Sequence, residues 1–391
     1  MAASRFPNEL LNGSVEEKAQ YFHSIISQHE SFNKVTNDVM EGLLDPGEEI
    51  IIVLGPPGVG KTALAEKLYA RILRENSPGM ENDPGFIPAI HFEAPAPLKG
   101  SFDNIQFFRR ILSEGKDILI DKKTPNIEIM RLRTGNQKQY TRNFIYQEAA
   151  IDCIKNRCMK CILVDEGAHL ITTTSAPNLI QQVDVLKQLT NQSKAKIVLF
   201  GPYSLLAIGR LNGQLERRVK FIHFPRYTPR YEEYLEFVNV VNTLQHHLPV
   251  PQMPELYSSG EYLFEMSLGC VGRLKAWLRK ALIKGASENK TTITKKILEE
   301  TAGPPSKLSE AINEILKGEE DYQDLFIKPE KLSKFSYKTK NTANITESAD
   351  SEAQDLSNHQ PQKPRRKTYP GNRRPKRDTV GHPELQPEEK N

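Results

Sequence analysis

The run Gly55-Pro56-Pro57-Gly58-Val59-Gly60-Lys61-Thr62 has the spacing G-x-x-x-x-G-K-[ST]. Backbone N–H groups of such a loop cradle phosphate oxygens at a helix N-terminus, where the macrodipole favours negative charge. The chemistry this allows is binding of ATP with Mg²⁺, Lys61 neutralising the β and γ phosphates and the Thr62 hydroxyl ligating the metal. Asp165 and Glu166 stand directly after the apolar run Cys161-Ile162-Leu163-Val164, a place where packing alone does not favour two acids. Asp165 suits the Mg²⁺ shell and Glu166 suits activation of an attacking water, so the pair predicts ATP hydrolysis. His169, three residues on, reads as a residue packed beneath the sheet, with a place near the γ-phosphate as the other option.

Arginines are the next group of interest, because an arginine supplied in trans stabilises transition-state charge by factors of roughly 10³ to 10⁵. Arg217 and Arg218 lie in Gly213-Gln214-Leu215-Glu216-Arg217-Arg218-Val219, ahead of the run Phe221-Ile222-His223-Phe224. Taken alone, the pair reads as a solvated helix end. Arg273, in Gly272-Arg273-Leu274 before the amphipathic stretch 275–283, is placed to reach a nucleotide from above.

These side chains need elements to hold them. The segment 49–54 is a short run rich in Ile and Val, and 63–73 is helical in pattern, so the glycine-rich loop sits between strand and helix as its mechanism requires. Further strands are expected at 87–92, 161–164 and 197–200, the last two being continuous apolar runs of the kind covered on both faces in a parallel sheet. Helices are expected at 104–112 and 140–157. Alternation of strands and helices predicts an α/β fold, a three-layer core with a parallel sheet. The boundaries expected are an N-terminal helical segment over 1–45, the α/β core over 46–228, an all-helical lid over 229–302, a helical extension over 303–328 and a disordered tail over 329–391, where apolar content falls away.

Composition narrows the class. With 391 residues, 38% hydrophobic and 26% charged, the chain can bury a sizeable core. No apolar run approaches the roughly 20 residues needed to span a bilayer. The opening Met-Ala-Ala-Ser-Arg-Phe-Pro-Asn lacks the apolar stretch of a signal peptide, so a cytoplasmic location is expected. Four cysteines are too few for a disulfide framework. Cys153, Cys158 and Cys161 crowd together with one Cys-x-x-Cys but lack a second ligand pair, which favours reduced core thiols over a zinc site. A net charge of only +4 excludes a uniformly basic nucleic-acid-binding body, so any such contact must come from local patches.

Together these residues resemble an AAA+ ATPase, with the phosphate loop at 55–62, Asp165 and Glu166, a third-strand region at 197–204, the arginine segment at Arg217 and Arg218, and the lid arginine Arg273. More narrowly, the chain resembles the TnsC/TniB family of transposition regulators over about residues 10 to 300. Four features carry that resemblance: Ser27-Gln28-His29-Glu30-Ser31-Phe32, Asp165-Glu166-Gly167-Ala168-His169-Leu170, Gln214-Leu215-Glu216-Arg217-Arg218 and Gly269-Cys270-Val271-Gly272-Arg273-Leu274-Lys275. The resemblance implies a homo-oligomer, a hexameric or heptameric ring or a helical filament, wrapped around double-stranded DNA. It also implies recruitment of a transposase and response to a TniQ-like target-selection protein, in ordinary or CRISPR-associated transposons. One departure stands out. After the strand 197–200 the family tends to place a small polar sensor, whereas here Gly201 is followed by Pro202 and Tyr203, leaving Ser204 as the candidate and slow hydrolysis as the expectation.

For duplex binding the candidates are Lys99, in the loop 97–101, and the cluster Arg131, Arg133, Lys138 and Arg142. In a ring such positions can face a central channel and grip phosphates without reading sequence. The stretch 362–377 is dense in Lys and Arg with interspersed prolines. It could bind DNA, dock on a partner such as the transposase, or serve only as a solubilising tail. Two other functional classes share the nucleotide residues: a helicase loader or replication initiator, and a STAND-like or protein-remodelling ATPase that does not bind DNA.

Overall fold

Among the described residues five short strands pair into one sheet, the central three nearly unbroken apolar runs: β1 (Ile50–Leu54), β2 (Ala89–Glu93), β3 (Cys161–Asp165), β4 (Lys196–Gly201) and β5 (Val219–His223), with β2 and β5 at its edges. The strand order is β2-β3-β4-β1-β5 and every pairing is parallel. The computed structural model describes residues 6–97, 102–123, 142–171, 176–211 and 218–326. Two helices, α1 (Val15–Ser24) and α2 (Glu30–Leu44), precede the sheet, and the crossovers that parallel strands require contain α3 (Lys61–Glu75), α4 (Ser77–Asn82), α5 (Asn104–Glu114), α6 (Arg142–Asn156), α7 (Ala176–Ser193) and α8 (Leu206–Gly209). After β5 the chain is helical, with α9 (Tyr231–His246), α10 (Gly260–Ser267), α11 (Val271–Ser287), α12 (Lys295–Thr301) and α13 (Pro305–Phe326).

The period of two along each strand builds the three layers. Ile51 and Val53 point with Val198 and Phe200 toward α2 and α3, where Phe32, Val35, Leu64 and Leu68 cover them. Ile50, Ile52 and Leu54 point the other way with Ile197 and Leu199, into a core closed by Phe107, Ile151 and Leu186 of α5, α6 and α7. A separate apolar cluster built on Phe237, Leu244, Leu274 and Trp277 holds the helical region after β5 together.

Local signals fix several helix starts. Ser14 and Glu17 form a reciprocal capping box at α1, and the Asp103 carboxylate accepts the Ile105 and Gln106 N–H groups at α5 (2.9 and 3.2 Å). Cys153 and Cys161 are buried and Cys158 is exposed, and burial pushes the Cys153 and Cys161 thiols up to about 11 and about 12. Among the described residues no helix is long and apolar enough to cross a membrane.

Candidate nucleotide-binding site

Ligands of parallel α/β sheets sit outside the carboxyl ends of the strands, where the strand order reverses. The segment 55–62 occupies that position, between β1 and α3. Gly58 and Gly60 have φ of +81° and +120°, a backbone that residues with a Cβ adopt only under strain. No side chain caps α3, so the N–H groups of its first turn stay available to an anion.

Lys61 folds back over the loop, its Nζ donating to the carbonyls of Gly55 (2.9 Å) and Pro56 (3.0 Å). Burial lowers its pKa, while Asp165 and Glu166 favour the charged form. A half-buried cation whose direct partners are neutral carbonyls fits a polyphosphate well. Thr62 is exposed in the first turn of α3.

Asp165 is the last residue of β3 and is buried, 7% exposed. Its Oδ1 accepts the Glu166 N–H at 2.8 Å. Glu166 is exposed and sits at φ +50°, a left-handed conformation that costs a non-glycine residue about 1 to 3 kcal/mol. Neighbouring bonds hold the turn: His169 N–H to the Glu166 carbonyl (3.0 Å) and Ala94 N–H to the Asp165 carbonyl (2.9 Å). His169 Nδ1 lies 3.0 Å from the Ala94 carbonyl oxygen. A carbonyl only accepts, so Nδ1 carries the proton and the ring is fixed to the end of β2.

The start of α11 lies directly on the phosphate loop. Arg273 N–H donates to the Gly58 carbonyl at 2.9 Å, and the Arg273 side chain passes over Gly58. The approach depends on Gly272, where a Cβ would stand 2.6 Å from the Gly58 carbonyl oxygen. Its sequence signal is a glycine at a helix start beside the lid arginine, and reading the arginine alone passes over it.

A cavity of about 410 Å³ opens beside Gly60 and Thr62, walled by Ile26 from the α1–α2 connection, Glu66 of α3 and Lys275 of α11. Its volume is in the range of small-ligand sites. Lys275 Nζ donates to the His23 carbonyl at 2.6 Å, and the Arg279 guanidinium stands 3.1 Å from His23 Nδ1. Burial lowers the Lys275 pKa.

Ser204 is exposed after β4 and lines a second cavity, of about 280 Å³, together with Pro57 of the phosphate loop. Tyr203 before it is buried, its hydroxyl 2.8 Å from His223 Nε2. Burial holds His223 down to about 4 and pushes the Tyr203 phenol up, so the phenol donates to a neutral ring.

Arg218 is not brought to this end. It precedes β5, pairs with Glu49 at 3.2 Å and donates to Asn191 Oδ1 at 3.1 Å. The five-residue strand β1 separates it from its own phosphate loop by about 15 Å. Arg142 is exposed at the first residue of α6. Arg217, Lys99, Arg131, Arg133, Lys138 and the stretch 362–377 lie outside the described residues.

Known proteins bear on this arrangement as follows. No curated protein matches the chain. Among solved structures, the Aeropyrum pernix ORC2 protein in its ADP form is similar at 14% identity and a TM-score of 0.46, over 74% of this chain and 72% of that one. The Aeropyrum pernix ORC1 protein in complex with DNA is similar at 13% identity and a TM-score of 0.47, over 75% and 68%. Domain III of the Thermotoga maritima replication initiation protein DnaA is similar at 13% and 0.39, over 71% and 95%. A family model described as an AAA domain matches residues 45–208, the segment holding the phosphate loop, the acidic pair and Ser204, and the chain has the AAA+ P-loop ATPase fold.

Proposed function

We propose that this protein is a Mg²⁺-dependent ATPase whose nucleotide state governs its assembly on double-stranded DNA, where it links a target-selection protein to a transposase. The observation that carries the ATPase reading is the convergence of Lys61, Asp165, Glu166 and Arg273 at one end of the sheet. Gly58, Gly60, Lys61 and the open first turn of α3 bind and orient the phosphates. Thr62 and Asp165 would hold Mg²⁺, which supplies charge neutralisation at the phosphates. Glu166 orients and deprotonates the attacking water from its exposed, left-handed position at the end of β3. The cavity beside Gly60 takes the nucleoside.

Because Arg218 lies at the far end of β1, its catalytic role would be on a neighbour's nucleotide, with Arg217 as the other candidate of the pair, and the homo-oligomer would then complete the catalytic site. Ser204 and Pro57 share a cavity, which supports Ser204 as the residue that meets the γ-phosphate. The DNA and transposition parts of the proposal rest on the resemblance of the 27–32, 165–170, 214–218 and 269–275 segments to transposition regulators, and on Lys99, Arg131, Arg133, Lys138 and Arg142 as phosphate contacts.

The test is binding of random-sequence duplex DNA with ATP, ADP or no nucleotide at two salt concentrations, with the products viewed by negative-stain microscopy. The reading expects salt-sensitive rings or filaments on DNA with ATP, lost in Lys61→Ala and retained in Glu166→Gln. Absence of DNA binding with every nucleotide, alongside intact ATP turnover, would replace it with a signalling or protein-remodelling ATPase.

A further inference from the structure

The last described helix, α13, leaves the lid and crosses the carboxyl ends of β4 and β5, the end at which the phosphate loop lies. Ile315 is buried against Leu268 and Cys270, just before α11 presents Gly272 and Arg273 to the loop. Gly318 sits on the Tyr203 ring so closely that a Cβ there would overlap it. Glu319 grips Arg226, in the connection between core and lid, with two hydrogen bonds of 2.8 and 3.1 Å. Asp321 pairs with Arg210 at 2.6 Å, and Tyr322 stacks on His223 with ring centroids 4.4 Å apart. Glu314 and Asp321 share the 280 Å³ cavity with Pro57 of the phosphate loop and Ser204.

The hold is broad, with one largely enclosed ion pair, Arg226 and Glu319 at 9% and 18% side-chain exposure, and otherwise shallow. Ile315 and Gly318 are the buried residues of this 22-residue helix. The Arg210–Asp321 pair is exposed, 55% and 39%, and pairs of that kind contribute little. Segments with few buried contacts open at low cost. The helix carries six carboxylates and two lysines; on the Ser204 side of the loop it presents Glu314, Lys317 and Asp321, the last paired with Arg210.

We propose that α13 is an acidic strap that competes with the triphosphate: docked, it sets Glu314 against the γ-phosphate side of the loop and occupies Tyr203 and Arg210, and ATP binding releases it. The proposal rests on the ATPase reading above. It separates ATP from ADP, because only the γ-phosphate meets Glu314. A strap docked about nine-tenths of the time lowers apparent ATP affinity about tenfold.

The experiment uses the full chain at concentrations below assembly, with Gly318→Leu to wedge the helix off Tyr203 and Glu314→Gln to remove the opposing charge. Fluorescent ATP and ADP analogues are titrated, and amide hydrogen exchange of 305–326 is followed with each nucleotide. Both variants are expected to bind ATP about tenfold tighter, with ADP affinity within about twofold. In the unaltered protein 305–326 is expected to exchange faster with ATP than with ADP. Unchanged ATP affinity in both variants, or exchange that is the same with ATP and ADP, would make α13 a fixed buttress and overturn the strap. If the unaltered protein shows no ATP binding that Lys61→Ala abolishes, the ATPase reading falls and the strap with it. Lys61-dependent ATP binding with unaltered affinities in the two variants removes the strap alone.

Discussion

Replacing Gly272 by alanine tests whether the lid's contact with the phosphate loop serves the nucleotide. The added Cβ would stand 2.6 Å from the Gly58 carbonyl oxygen and 3.4 Å from the Gly60 nitrogen. Carbon–oxygen contacts close at about 3.3 Å, so α11 must retreat by about 0.7 Å against backbone that cannot swing aside. The Arg273 N–H to Gly58 bond, 2.9 Å long, then stretches past hydrogen-bonding range. Losing it costs about 1 kcal/mol, and the strain of overpacking adds about 1 kcal/mol at the low end of its range. If the nucleotide requires the lid closed on the loop, the sum of about 2 kcal/mol sets an upper bound of roughly thirtyfold on the loss of affinity. Titration of a fluorescent ATP analogue reads this directly, with thermal unfolding as the check on folding. Gly285→Ala in the same helix is the control, because a Cβ there meets only Ile297 Cδ1 at 3.6 Å. It should leave nucleotide affinity unchanged and raise stability by up to about 1 kcal/mol through helix propensity. A Gly272→Ala protein that folds and binds ATP within about threefold of the unaltered chain would refute the coupling of lid and loop.

Two other outcomes follow from the same geometry. If a neighbour's arginine completes the site, Arg217→Ala/Arg218→Ala and Lys61→Ala subunits are each inactive alone but regain ATPase activity when mixed, since an intact loop then faces an intact arginine. Mixtures as inactive as their components would place the essential arginine elsewhere. His29 responds to acid: burial, and secondarily Lys67, hold its pKa at about 4 against 6.5 when unfolded, while its Nδ1 accepts from Tyr227 Oη (2.8 Å) and Phe32 N (3.4 Å). Its folded pKa is depressed, so the unfolded state binds the proton first and stability falls as pH drops from about 6.5 toward about 4. The slope is about 1.4 kcal/mol per pH unit and the sum about 3 kcal/mol. Urea denaturation midpoints compared at pH 7 and pH 4.5 should fall less for His29→Asn, which keeps an N-cap acceptor; an identical fall in both proteins would exclude His29 as the source.

The sheet and its phosphate end were legible because they depend on local sequence. Buried parallel strands are continuous apolar runs, so 161–164 and 197–200 announce β3 and β4 to within a residue or two. The phosphate loop is contiguous, and its glycines are there for φ values that the structure shows at Gly58 and Gly60. Contacts between distant segments leave no such trace. Nothing in the pattern of 305–326 says that its acids meet Arg210 and Arg226, about a hundred residues earlier, because an amphipathic helix with acids on one face satisfies solvent equally well. Tyr203 illustrates the same limit. Its place after β4 looks like a lost polar sensor, whereas the structure gives it a partner in His223 and a seat under α13.

The lid is tied to the core by a continuous set of backbone bonds rather than by side-chain packing alone. Phe224 N–H donates to the Leu54 carbonyl at 2.8 Å, joining the connection after β5 to the end of β1. Tyr227 N–H donates to the Gly269 carbonyl at 3.0 Å, and four residues later Arg273 N–H returns to Gly58 of the phosphate loop. The chain thus leaves β1 through the loop and comes back to it through the lid. A ligand shifts a conformational equilibrium only by what it contacts differently in the two states. A nucleotide on this loop meets the lid on the Gly58 side, through Gly272 and Arg273, and α13 on the Pro57 side, across the cavity that holds Glu314. Lid and strap are joined to each other through Ile315 and Cys270. In the strap reading, displacement of Glu314 by a γ-phosphate is therefore felt, through Ile315 and Cys270, by the segment that holds Gly272 and Arg273 on the loop.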